Sequence, residues 1–308
     1  MVTRPVIAGL LLLVAPLLFA AEPDGNAQIR AQAGDSEIVI TTTRRLAGAI
    51  GSLTWHGQEF INVTDHGREL QSASAFDLSP TANSEVFNPT EAGSRDDGAG
   101  TNTTSRLLAI SAEGNRLRTK TQMAFWLKSV ERSGGLLARN TNVLSNHVLT
   151  KDVRIGYERW PQALDYHVTF SVPANEAHVM AQFEALTAYM PPEFNTFYEF
   201  YPQTGRLQSL SQGPGEIKHP VVLATSDGKF AMGIFAPSQP QPDTIGPSYG
   251  RWFFDGAHVA KWNCVFRVRN QQGIRSGDYS YHLLVPIGTL AQVEGMMRDW
   301  TTAGTLVK

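Results

Sequence analysis

The sequence predicts an all-β protein: one large antiparallel β-sandwich with a single short helix at its C-terminal end. Three observations predict it. Apolar and polar residues alternate at period 2 through Leu164, Tyr166, Val168, Phe170 and Val172, and again through Val179, Ala181, Phe183 and Ala185, with Glu184 facing the other way. Turns such as His56-Gly57 and Ser226-Asp227-Gly228 separate neighbouring β-rich runs, because glycine tolerates the positive φ of a tight hairpin. Helical periodicity is convincing only near the end, where Thr289-Leu290-Ala291-Gln292 matches a capping box and Leu290, Val293, Met296, Met297 and Trp300 share one face.

Taken in order, the chain opens with Arg4, an apolar run from Val6 to Phe19 and the small-residue exit Leu18-Phe19-Ala20-Ala21. That pattern reads as a signal peptide, residues 1–21, cleaved after Ala20 or Ala21, and the run is shorter than the ~20 residues of a spanning helix. The remainder, 22–308, is expected to be a single domain, periplasmic or secreted in a bacterium, with no membrane contact after cleavage. β-rich runs follow at 37–41, at 49–55 and 58–62 as a hairpin-like pair, and at 106–111, 115–121 and 123–127. Further runs lie at 164–172, 179–185, 221–225, 229–235, 261–269 and 279–286.

Composition narrows the function. With 42% hydrophobic and 18% charged residues the chain is globular, and a net charge of -2 argues against a nucleic-acid partner, which phosphate binding would require to be basic. The one cysteine, Cys264, rules out an internal disulfide and reads as a buried small hydrophobe in an alternating strand. There is no G-x-S-x-G elbow, P-loop, dinucleotide fingerprint or H-E-x-x-H helix, and no cofactor or metal is expected.

One stretch, 65–98, draws the functional expectation. It is dominated by glycine, proline, serine and asparagine, it shows no sustained period, and it holds His66, Arg68, Glu91, Arg95, Asp96 and Asp97. Structureless loops of ~20 residues are uncommon unless they bind or catalyse. Glycoside hydrolysis needs two carboxyl groups facing each other across the scissile bond. Glu91 with Asp96 or Asp97 is the expected source of one, and Glu184 or Glu199 of the other. The bland alternative is that Asp96-Asp97-Gly98 is a turn and Glu91 a loop residue.

Elimination chemistry needs a base and a cation. His66 or Tyr189 would take a proton from C5 of a uronate, while Arg68 and Arg95 would neutralise its carboxylate. Aromatic rings supply a third signal. Phe194, Phe197, Tyr198, Phe200 and Tyr201 crowd a segment bounded by prolines, and Trp252 to Phe254 follow a proline-rich loop. Such rings pack on the C–H faces of sugars. His219, in a turn-rich loop, is expected at the same rim.

The segment Ala47-Gly48-Ala49-Ile50-Gly51-Ser52-Leu53-Thr54-Trp55-His56-Gly57-Gln58-Glu59-Phe60-Ile61 resembles the opening of galactose-mutarotase-like (aldose 1-epimerase-like) domains. His167 to Val179 followed by Phe183-Glu184-Ala185 is similar to that family's central pair of strands. The resemblance implies a twisted antiparallel supersandwich and a sugar-handling fold. In that family an asparagine-histidine-aromatic segment carries the catalytic histidine, and here Leu186-Thr187-Ala188-Tyr189-Met190-Pro191-Pro192 stands in its place. The expected function is therefore a carbohydrate-active enzyme other than a plain mutarotase, a glycoside hydrolase working through paired carboxylates. A polysaccharide lyase and a non-catalytic carbohydrate-binding protein are the alternatives.

Overall fold

The computed structural model describes residues 23–78, 84–238 and 243–302. The signal-peptide reading of residues 1–21 lies outside the described residues. Every pairing between the strands of the two layers is antiparallel.

The first layer runs, in spatial order, Gly215–Ile217, Thr244–Phe254, Val259–Arg269, Met180–Met190, Leu70–Phe76, Ile50–Trp55, Ser36–Thr42 and Ala27–Ala33. The second runs Arg106–Glu113, Arg116–Phe125, Leu144–Tyr157, Trp160–Val172, Gly277–Gly288, Ala231–Gly233, Val221–Ala224, Thr196–Tyr201 and Arg206–Leu210. The two-residue strand Pro89–Thr90 pairs with one strand of each layer and joins them.

The period-2 patterns decide what lies between the layers. Phe183 of the first layer meets Phe170 of the second at 5.0 Å, and Phe266 stacks on Tyr281 at 4.4 Å. Each such side chain is essentially removed from water, which stabilises the fold by about 1.5–3 kcal/mol apiece before entropy is counted. Cys264 is buried in this core, as its strand alternation implies. The helix, Leu290–Thr302, begins with the expected capping box: Gln292 N–H donates to Thr289 Oγ1 at 3.3 Å, and Thr289 N–H to Gln292 Oε1 at 2.8 Å. Val293, Met296, Met297 and Trp300 close its apolar face against Ala163, Phe200, Phe235 and Leu284 on the outside of the second layer. No described helix is long and apolar enough to cross a membrane.

The structure also adds strands where none is expected from sequence. Ala27–Ala33 and Leu144–Tyr157 are strands, the latter with register shifts near both ends, and Thr196–Tyr201 and Thr244–Phe254 are strands rather than aromatic loops. The stretch 65–98 is not one long loop, since Leu70–Phe76 lies within the first layer beside Met180–Met190. Its serines and alanines have weak intrinsic β preference, and tertiary pairing overrides it. Leu144–Tyr157 is obscured for another reason: Lys151 occupies an inward position between Leu149 and Val153, so the apolar alternation is broken by a charge.

Candidate active-site cleft

Register defines the outward face of the first layer. Met180–Met190 sits between Leu70–Phe76 and Val259–Arg269, and residues paired directly across antiparallel strands point the same way. Thr187 is paired with Gln71 on one side and Asn263 on the other; Tyr189 is paired with Lys261, and Lys261 in turn with Trp252. Strict alternation would put Tyr189 on the opposite face from Glu184. A bulge between Glu184 and Leu186 shifts the register, so Gln182 and Glu184 before it and Thr187 and Tyr189 after it share one face.

That face carries a cleft of about 140 Å³, lined by Gln71, Ala73, Glu85, Asn88, Thr90, Trp126, Glu184, Thr187, Tyr189 and Lys261. Glu184 lies on its floor. Oε2 accepts hydrogen bonds from Thr187 Oγ1 at 2.9 Å and Asn263 Nδ2 at 3.2 Å, and lies 3.9 Å from Lys261 Nζ. Asn263 is itself oriented, since its Oδ1 accepts from the Gly250 N–H at 3.0 Å. Gly250 has to be glycine: a Cβ there would come within 2.1 Å of the Trp252 ring and 2.3 Å of Asn263 Oδ1. Lys261 Nζ stands 4.8 Å from the Trp252 ring and 5.1 Å from the Tyr189 ring, inside cation–π range of both.

These contacts set the protonation of the cleft. Desolvation pushes Glu184 up, but the Lys261 ammonium and the donors on Asn263 and Thr187 outweigh it and hold the carboxyl below its ordinary value. Glu85, exposed at the rim with its N–H bonded to Ser133 Oγ at 3.1 Å, goes the other way. Although the residue's surface is open to solvent, the protein packed around its carboxyl and then the Glu184 charge bias it upward from the ordinary glutamate value. Burial also raises the Tyr189 phenol, with Lys261 opposing, so that side chain is a proton donor near neutral pH. Lys261 is cationic: desolvation works against its charge, but Tyr189, Glu184 and Glu85 more than restore it.

The other residues expected from sequence are placed elsewhere. Glu91 is fully buried between the layers, ion-paired to Lys151, with Oε2 accepting from the Ser72 N–H at 3.1 Å. Asp96 pairs with Lys128 at 2.5 Å and Arg95 with Glu131 at 2.6 Å on the loop surface. Asp97 Oδ2 accepts from Ser94 N–H, Thr104 N–H and Thr104 Oγ1 at 2.8–2.9 Å, which ties a loop together. His66 is buried, with one ring nitrogen 2.7 Å from the Gly98 carbonyl and the other 2.8 Å from that of Arg45. Arg68 pairs with Asp65 at 3.3 Å.

The aromatic segment divides as alternation requires. Phe197 is buried in the main core; Tyr198 packs near the helix. Tyr201 donates to Glu199 Oε2 at 2.9 Å, and His219 Nδ1 meets Glu199 Oε1 at 2.8 Å. Glu199, Tyr201 and His219 thus form their own cluster on the second layer, away from the cleft-lining residues. Of the expected site residues, Glu184 and Tyr189 line the cleft and Trp252 borders it through Lys261. Glu85, Trp126, Thr187, Lys261 and Asn263 join them without having been singled out from sequence. The one sequence signal that bears on the last two is the alternation of 261–267, which puts Lys261 and Asn263 on the face opposite Trp262 and Cys264.

No protein-family profile matches the chain, and no curated protein matches its sequence. Among solved structures it is similar to a galactose mutarotase-like protein from Lactobacillus casei at 10% identity and TM-score 0.44, covering 85% of this chain and all of that one. It is also similar to heparan sulfate lyase HepC from Pedobacter heparinus at 9% identity and TM-score 0.42, over 89% of this chain and 37% of that one. A third is the GH36 alpha-galactosidase AgaB from Geobacillus stearothermophilus, at 9% identity and TM-score 0.44, over 86% of this chain and 40% of that one.

Proposed function

We propose that the chain is an exported carbohydrate-active enzyme, a glycoside hydrolase whose two carboxyl groups are Glu184 and Glu85. One observation carries this reading: two glutamates line one cleft, and their surroundings bias them in opposite directions, Glu184 toward the anion and Glu85 toward the acid. Two titratable groups driven apart in this way are the arrangement acid–base chemistry at neutral pH requires. Glu85 then donates its proton to the glycosidic oxygen as the bond to the anomeric carbon breaks. The anionic Glu184 stabilises the cationic sugar, or attacks it, and water completes hydrolysis. Trp126, Tyr189 and Trp252 offer ring faces to the sugar.

With Glu85 protonated, the Glu184 carboxylate balances the Lys261 ammonium, so the cleft holds no spare cation for a uronate carboxylate and a neutral glycan is the expected substrate. The Tyr189–Lys261 contact favours the second reading, elimination, in which Tyr189 serves the proton transfer and Lys261 the uronate carboxylate. Purified protein incubated with neutral and uronate-containing polysaccharides separates the readings. New reducing ends without the ultraviolet band of unsaturated uronates, lost in Glu184→Gln and Glu85→Gln, would support hydrolysis. That band would mean elimination, and retention on a glycan without product would mean a binding protein. The hydrolase should show a bell-shaped rate profile, with its acid limb set by ionisation of Glu184 and its alkaline limb by deprotonation of Glu85. Glu85→Gln should abolish the alkaline limb in whatever activity survives.

A further inference from the structure

We propose that His147, Glu176 and His178 form a binding site for a divalent transition metal of the zinc type, separate from the cleft, with Asp77 as the carboxylate that orients His178. The three ligand atoms lie within 4.8 Å of one another. Glu176 Oε2 is 2.7 Å from His147 Nε2 and 3.2 Å from His178 Nε2. Two imidazole nitrogens and one carboxylate oxygen are a donor set that zinc accepts, with water completing its tetrahedron.

The outer surroundings strengthen the assignment. His178 Nδ1 is 2.9 Å from Asp77 Oδ2, and Asp77 is held by Arg139 Nη1 at 2.9 Å and by the N–H groups of Val179 and Met180 at 2.8 and 3.1 Å. A carboxylate on the far nitrogen of a ligating histidine fixes the tautomer and points the other lone pair at the metal. Here both ring nitrogens of His178 face carboxylate oxygens, and one oxygen, Glu176 Oε2, serves both His147 and His178, so a divalent cation can take the place of the protons these three groups share. The Phe76 and Phe87 rings lie 4.6 and 4.9 Å from His178, which lowers the local dielectric. His147 and His178 are buried, while Glu176 keeps 18% of its side chain open and provides the entry path.

The ligands come from distant points in the chain. His147 lies on Leu144–Tyr157, Glu176 and His178 on the connection into Met180–Met190, and Asp77 directly after Leu70–Phe76. A metal here would clamp both layers at one end of the sandwich. The described residues hold one other such group, Asp165, His167 and His282, but its histidine rings stack at 4.1 Å and His167 is half exposed. It serves as the internal control.

The test uses the full chain, stripped with a chelator, dialysed and titrated with Co2+, then with Zn2+. The expected result is one equivalent of Co2+ with visible ligand-field bands that Zn2+ displaces, and a Zn2+-induced rise in Tm of about 5–10 °C at saturating metal. Glu176→Gln and His178→Ala should lose the bands, while His282→Ala keeps them. If His178→Ala fails to fold, Asp77→Asn should keep the bands but weaken binding by about 10–100-fold. No bands and no Zn2+ effect on Tm, or bands that survive Glu176→Gln and vanish in His282→Ala, would overturn the proposal.

Discussion

Two glutamate–lysine pairs sit in this molecule under opposite regimes. Glu91 and Lys151 meet between the layers with no exposure of either side chain, where Lys151 Nζ also donates to the Gly48 carbonyl at 2.8 Å. Glu184 and Lys261 face outward, with 22% and 15% of their side chains open. Desolvation raises Glu91 above the ordinary glutamate value even with an ammonium beside it. At Glu184 the ammonium and two further donors reverse that balance. The lesson is that a carboxylate's partner does not decide its role; how many donors accompany the partner, and whether a substrate can reach it, decides.

Removing one half of the buried pair should have the largest effect on the fold. Lys151→Met leaves Glu91 uncompensated and should cost about 3–5 kcal/mol of stability in denaturant unfolding. The paired change Glu91→Gln with Lys151→Met should recover most of that loss. If Lys151→Met unfolds like the parent chain, the contrast between the two pairs collapses.

At the open pair the expected loss is of rate rather than stability. Glu184→Gln should lower kcat by about 10²–10⁴-fold, with a smaller change in unfolding than Lys151→Met produces. The pH signs differ as well. Glu184, lowered in the fold, contributes stability that is present above the ordinary glutamate range and lost as pH falls through its folded value. Glu91, raised in the fold, contributes in the opposite direction, present at acid pH and lost as pH rises through its folded value. Unfolding followed across acid pH in Glu184→Gln should therefore lose part of the parent's acid sensitivity.

Smaller effects sharpen the same comparison. Trp126→Ala should raise KM about tenfold, ~1.4 kcal/mol, with kcat little changed, if its ring binds sugar in ground and transition states alike. Asp96→Asn removes a surface pair with Lys128 and should leave both Tm and rate unchanged. A rate loss at Asp96 would return the candidate chemistry to the 65–98 stretch.

Residues 65–98 show how far sequence reading reaches. Its wealth of charged and turn-forming residues marks functional loops and structural loops alike, and here the charges mostly satisfy one another: Asp96 with Lys128, Arg95 with Glu131, Arg68 with Asp65. Glu85 lies in the same stretch and reaches the cleft, but nothing in its neighbours distinguishes it. Lys261 and Asn263 lie nearly 80 residues beyond Glu184, and Gln71 more than 100 residues before it; only pairing in the first layer brings them together.

The sequence by itself determined the all-β class, most of the strands, the helix with its cap, and the outward direction of Glu184, because alternation at period 2 and end-capping are properties of a few neighbouring residues. Only the tertiary structure decided which carboxylates share a space. Glu91 turned inward because a two-residue strand carries it between the layers to Lys151, and Tyr189 joined Glu184 because one bulge exchanges the faces of every residue beyond it. Both outcomes depend on which strands pair and in what register, and that is settled by burial summed over the whole sandwich rather than by any local pattern.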